Sequence, residues 1–336
     1  MRHRTLASVA LSAALAITLT ACGSGPAGDG TVSMRFGHLY EVDHPFHRCG
    51  AEPLAQALAD DGIDLQIFPG AQLGGEQELV QSTEFGDLDM SIAGPGAVAN
   101  WHAPWGVLDA AYAVDDWDHM EQVWAGPVGE ELRQGLTEDS GIRAVDLWLY
   151  GTRHLTANVE ARSPADLAGQ KIRAIDTPVS LANARALGSE PVPVAFAELY
   201  LALQQGVVDG QENPIPTIQS GRFYEAQSTL NLTGHLVQAT VLMVSPDAWE
   251  SLSPAQQEAF GAELETAGAA VRECVETEEQ ELLAEWEGSG AFGTIVTADE
   301  IDRDAFRAKA EAEVPGQFEA QWGEGLYQRV RETASS

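Results

Sequence analysis

Lysine is nearly missing from this chain. Its 336 residues include only Lys171 and Lys309, and 18 basic residues stand against 51 acidic ones, a formal charge of −33 at pH 7. Nucleic acids and anionic membrane surfaces are bound by clustered Lys and Arg, so this balance argues against both as partners. Such acidity favours solubility, as in a salty habitat, and says nothing about fold. Enzyme signatures are missing too. There is no Gly-x-Ser-x-Gly, no glycine-rich phosphate loop ending in Lys-Ser/Thr and no His-Glu-x-x-His. Gly94-Pro95-Gly96 lacks the third glycine of a dinucleotide fingerprint, and carboxylates are too abundant for any pair to stand out as acid and base. The chain therefore does not read as an enzyme, and it calls for no cofactor. Cysteine is scarce, with Cys22, Cys49 and Cys274 alone. An oxidising compartment permits a Cys49–Cys274 bond, but a separation of 225 residues leaves it open.

What is present begins with a processing segment. Arg2 and Arg4 precede a short apolar run, Leu6 to Leu19, which ends in Leu19-Thr20-Ala21-Cys22. That tetrapeptide resembles the bacterial lipobox, in which the cysteine is lipidated and becomes the new N-terminus; the alternative is an ordinary secretory signal cleaved nearby. Residues 1–21 are read as the signal peptide and residues 22–30 as a flexible tether. The protein is thus expected outside the cytoplasm, lipid-anchored through Cys22. No second apolar run is long enough to cross a bilayer, so passage of any solute through it needs another protein.

The remainder alternates strand and helix, the mark of an α/β fold with a real core, since 44% of residues are hydrophobic. Strands are expected at Val32–Leu39, Ile63–Phe68, Leu88–Ala93, Gly141–Tyr150, Lys171–Ile175 and Pro191–Val194. Helices are expected at Pro45–Leu58, Glu76–Phe85, Pro178–Leu187 and Ala197–Gln205. Ser163, Pro164, Asp166 and Gly169 punctuate a capped turn. Ser253 to Glu287 is helix-compatible for more than thirty residues despite Gly261 and Gly268. It is read either as one helix bracing two lobes or as two helices kinked at a glycine.

Two clusters carry chemistry. His38, His44, His47 and Cys49 fall within twelve residues and are all zinc-ligand types. A strand leading into a helix start scatters them, and packed histidines with a buried cysteine explain them as well, so no metal site is assigned. The second is Lys171-Ile172-Arg173-Ala174-Ile175. Alternation puts Ile172 and Ala174 on one face and Lys171, Arg173 and Ile175 on the other. An arginine at the carboxyl end of a strand lies where α/β sheets bind ligands, and its planar fork can pair with a carboxylate through two parallel hydrogen bonds.

Those residues sit in a longer pattern. SPADLAGQKIRAIDTP (163–178), followed by PVPVAFAELYLALQQGVVDGQENP (191–214), resembles the signature region of the DctP-type substrate-binding proteins of TRAP transporters. Looser matches run through HPFH, QLGGEQEL and YGTR to the start of the long helix, covering most of residues 31–290. The resemblance implies a two-lobe fold like that of periplasmic binding proteins, with a cleft, crossing strands and a long bracing helix. It places lobe I at 31–150 plus 239–278 and lobe II at 151–238 plus 279–332. It implies a small organic acid as ligand, a two-part membrane permease as partner, and a monomer. A sugar acid such as a uronate or sialate, or an ectoine-like zwitterion, would suit a single carboxylate clamp. Carried over residue by residue, Arg173 would hold the carboxylate with its fork, Asn213 with an amide N–H, and Arg153 by charge and a further hydrogen bond. Phe196 would line the pocket, and Glu76, His44 and His235 would face the cleft. An alternative role is a sensor or adaptor that signals to a membrane partner.

Overall fold

The computed structural model describes residues 31–333; the expected signal segment, Cys22 and the tether lie outside the described residues. Among the described residues, nine strands form a single mixed sheet. They are β1 (Val32–Gly37), β2 (Ile63–Phe68), β3 (Met90–Ala93), β4 (Arg143–Ala157), β5 (Lys171–Ala174), β6 (Glu190–Pro193), β7 (Gly210–Pro214), β8 (Thr229–Val244) and β9 (Thr294–Val296). The order is β2-β1-β3-β8-β4-β7-β5-β6, with β9 beside β8. Parallel pairs β1–β2 and β1–β3 close one end, and β5–β6 and β5–β7 the other. Parallel neighbours need crossover connections, and here helices supply them on both sides, as the strand–helix alternation predicts.

β4 and β8 are long, at 15 and 16 residues, and antiparallel. The far half of β8 pairs with β3, through Val241–Val244, while the far half of β4 pairs with β7, through Arg153–Ala157. The two strands thus pass through both halves of the molecule. Their register shifts at three places, and at the one between Leu149 and Gly151, Gly151 takes φ +134 and a Cβ would lie 2.6 Å from Pro214 Cβ. Only glycine fits that bulge at low cost. The sequence reading ended the strand at Tyr150; the bulge carries it on to Ala157.

The long helix is one piece, Pro254–Ser289, 36 residues and therefore about 54 Å. Ser253 caps it by accepting from the Gln256 amide, and Gly290 ends it in the left-handed conformation. Gly268 does not kink it. A Cβ there would meet the buried Trp148 ring at 2.8 Å, so the small residue lets the helix lie against β4. Trp148 Nε1 donates to the Leu264 carbonyl at 3.2 Å across the same contact. Cys49 and Cys274 are disulfide-bonded, tying the π-helical turn Phe46–Ala51 to this helix. No helix among the described residues is long and apolar enough to cross a membrane.

Candidate ligand-binding cleft

Arg173 lies on β5 and is 3% exposed. Its backbone neighbours Ile172 and Ala174 are buried on the opposite face, which aims the guanidinium away from that core. Nε donates to the Val194 carbonyl at 3.0 Å, and among the described residues this is the protein contact its nitrogens make. The fork of terminal nitrogens is left to the cleft. Burial, and next the like charge of Arg153, lower its affinity for the proton to about 10. An arginine stays charged at such values, so the shift measures how much a neighbouring anion would relieve.

The cleft beside it has a volume of about 750 Å³. Glu76, His44 and Phe196 line it with Arg173, so four of the expected residues meet there. Glu76 opens the helix Glu76–Glu84, and its Oε1 accepts from the Gly94 amide at 2.9 Å. Burial raises its proton affinity, while that amide and the two arginines hold it down. His44 is fully packed. Its ring stacks on Tyr40 at 4.5 Å, which stacks in turn on Tyr150 at 5.1 Å, and its Nε2 bonds with Thr217 Oγ1 at 3.0 Å. Burial lowers its pKa to about 3, so it is a neutral group here.

Arg153 and Asn213 border a smaller cavity of about 30 Å³ that Arg173, Glu76, Tyr150 and Phe196 also line. Arg153 is not a free cation. Its Nε and one Nη grip the Glu212 carboxylate and its other Nη donates to Gln238 Oε1 at 2.6 Å. Burial alone would lower its proton affinity, but the Glu212 charge raises it on balance; correspondingly Glu212 drops to about 2 against the opposing effect of its own burial. The expected charge contribution of Arg153 is thereby offset within the protein. Asn213 accepts from Tyr150 Oη at 3.1 Å and donates to Gln211 Oε1 at 2.6 Å, which leaves its second amide proton.

His235 does not face the cleft. It lies in a separate internal cavity of about 20 Å³ behind Arg153. There Nε2 contacts Glu212 Oε2 at 3.2 Å and Nδ1 contacts Thr233 Oγ1 at 2.8 Å. The register of β8 turns it to the rear of the arginine. The zinc-type cluster is likewise dispersed. Cys49 is in the disulfide, His38 Nε2 meets His47 Nδ1 at 3.0 Å, and no group of three or more such ligands converges among the described residues.

Sequence reasoning missed Glu212, Gln238 and Asp109. Gln238 Nε2 donates to Asp109 Oδ1 at 2.7 Å, completing a buried chain from Asp109 to Arg153 and Glu212. Glu212 sits inside the quoted Gln-Glu-Asn-Pro motif; its signal was there, but pairing it with Arg153 requires the β4–β7 register.

The family model of bacterial extracellular solute-binding proteins, family 7, matches residues 36–321. The sialic acid-binding periplasmic protein of Vibrio cholerae is 33% identical over 235 residues, 70% of this chain and 73% of that protein. The 2,3-diketo-L-gulonate-binding periplasmic protein of Escherichia coli is 30% identical over 277 residues, 82% and 83% of the two chains. A TRAP periplasmic solute-binding protein of Roseobacter denitrificans, solved with 3-deoxy-D-manno-oct-2-ulosonic acid, superposes with a TM-score of 0.85 at 30% identity. That match covers 90% of this chain and 99% of the other. The chain belongs to this family, the extracytoplasmic binding proteins of TRAP transporters, which capture a solute and deliver it to a membrane permease.

Proposed function

We propose that this protein captures a sugar-derived organic acid, with Arg173 as the principal carboxylate clamp. The observation that carries this reading is a buried arginine whose terminal nitrogens open onto the cleft with no carboxylate paired to them among the described residues. A carboxylate leaving water needs opposite charge and directed donors to offset its desolvation, and Arg173 supplies both. The second amide proton of Asn213 adds a neutral donor, and Phe196 a flat apolar wall. The cleft volume of about 750 Å³ suits a ligand of six or more carbons. The three relatives above are described with sialic acid, diketogulonate and an octulosonic acid, all sugar-derived acids.

A thermal-shift screen tests the substrate class. A ligand at 100 times its Kd stabilises the native state by about 2.7 kcal/mol. N-acetylneuraminate, 3-deoxy-D-manno-octulosonate and L-galactonate are expected to include one that raises Tm by several degrees; no shift with any sugar acid contradicts the reading. The mature protein acts as a lipid-anchored monomer in this account, with Cys22 carrying the lipid. Full-length protein should remain with membranes and Cys22→Ser protein should not; equal retention of the two rules out the anchor.

A further inference from the structure

Arg173 is the one cation among the described residues lining the cleft. Four carboxylates line it too: Glu41, Glu76, Glu78 and Asp176. Arg153 does not redress the balance, because Glu212 neutralises it from within. His44 is buried and uncharged. Two of the carboxylates are fixed by the fold. Glu76 accepts from the Gly94 amide, and Glu78 accepts from the Gly75 amide at 2.8 Å, so neither can swing freely away. The cleft wall, otherwise largely neutral, therefore carries one positive point and four carboxylates.

From this we infer a rule of selection: the cleft takes polyhydroxylated monocarboxylates and rejects dicarboxylates by charge. The inference rests on Arg173 being the clamp. With one carboxylate on Arg173, a second elsewhere in the cleft meets a wall that carries four carboxylates and, among the described residues, no second free cation. Like charges juxtaposed at a binding site repel, and this is how such a site excludes a near-isostere. Hydroxyl groups at the same place meet acceptors instead. A carboxylate accepts hydrogen bonds at both oxygens, so each of the wall carboxylates can take a ligand hydroxyl. The same four groups thus favour a sugar chain and disfavour a diacid of identical length.

Matched pairs isolate that second carboxylate. Galactonate with galactarate, gluconate with glucarate, and erythronate with tartrate share their carbon skeletons and differ at one terminus. Calorimetric titration of the mature protein should find at least one monocarboxylate that binds, with its diacid weaker by about 100-fold or more. Glu76→Gln should narrow that ratio. Asp176→Asn, a substitution at an exposed position whose backbone oxygen alone is used by the fold, should do the same and keeps the test open if Glu76→Gln fails to fold. A diacid that binds as tightly as its partner overturns the inference, as does a failure of every monocarboxylate to bind. In the first case, loss of both ligands in Arg173→Lys leaves the clamp standing, whereas no loss removes the clamp as well.

Discussion

Arg173 and Arg153 stand against one cavity, yet their surroundings give them opposite electrostatics. Glu212 satisfies Arg153, while Arg173 has a carbonyl on Nε and an unmet charge. Arg173 was legible in sequence because a Lys-x-Arg strand end is a local pattern. The pairing of Arg153 was not, since Glu212 reaches it only through strand register. The placement of His235 behind Arg153 was not legible for the same reason, as its side of β8 depends on register shifts that no local signal marks. Titration also belongs to this scale. Burial lowers His38, His44 and His154 to about 3, so the stability of keeping them neutral is intact above their ordinary pKa and lost as pH falls towards 3. Glu212, held at about 2 chiefly by Arg153 against its burial, loses its contribution as pH drops below the ordinary glutamate range. Asp109 and Asp146, raised by burial to about 6, and Glu279, raised by burial to about 7, act the other way and gain stability as they protonate. The two sets offset each other at about 1.4 kcal/mol per pH unit per group until the carboxylates are fully protonated near pH 4. Tm should therefore change little from pH 7 to 5 and fall steeply below about pH 4. An equal Tm at pH 3 and pH 6, by calorimetry, would refute these assignments.

Elements were read more fully than contacts. Ile63–Phe68 was placed to the residue, and the long helix was expected, though whether it was one helix or two was not. What decided it was Trp148, against which Gly268 packs; a glycine read alone suggests a break, and only the facing strand shows that it is a close approach. β8 was not foreseen, because its 16 residues are almost wholly buried and the alternation of Thr229–Thr233 does not continue into Val241–Val244. The disulfide was left open by sequence and is fixed by the turn at Phe46–Ala51 lying along the long helix. It closes a loop spanning 225 residues, and constraint of so long a loop in the unfolded chain is worth roughly 5 kcal/mol on the chain-entropy relation. The Cys49→Ala/Cys274→Ala pair should lose a few kcal/mol in urea unfolding while retaining ligand affinity. Unchanged stability would show that the bond constrains little.

At the scale of the whole molecule, the cleft is spanned from both sides. His44 bonds Thr217, Asp43 Oδ1 accepts from Ser220 Oγ at 3.0 Å, and Gln77 Nε2 donates to the Asp176 carbonyl at 3.2 Å. Each joins a residue before Gly151 in the chain to one after it. A ligand held between Arg173 and Glu76 would add its own contacts across the same cleft. The general acidity does not oppose this. Beyond roughly 8 Å it is screened at physiological ionic strength, so the local guanidinium governs what the cleft accepts. The most direct measurement is calorimetric titration of the tightest sugar acid found against wild type and Arg173→Lys. Loss of the bidentate pair should weaken binding by about 2–5 kcal/mol with the fold intact by circular dichroism. Equal affinity in the two proteins would contradict the carboxylate clamp on which the account stands.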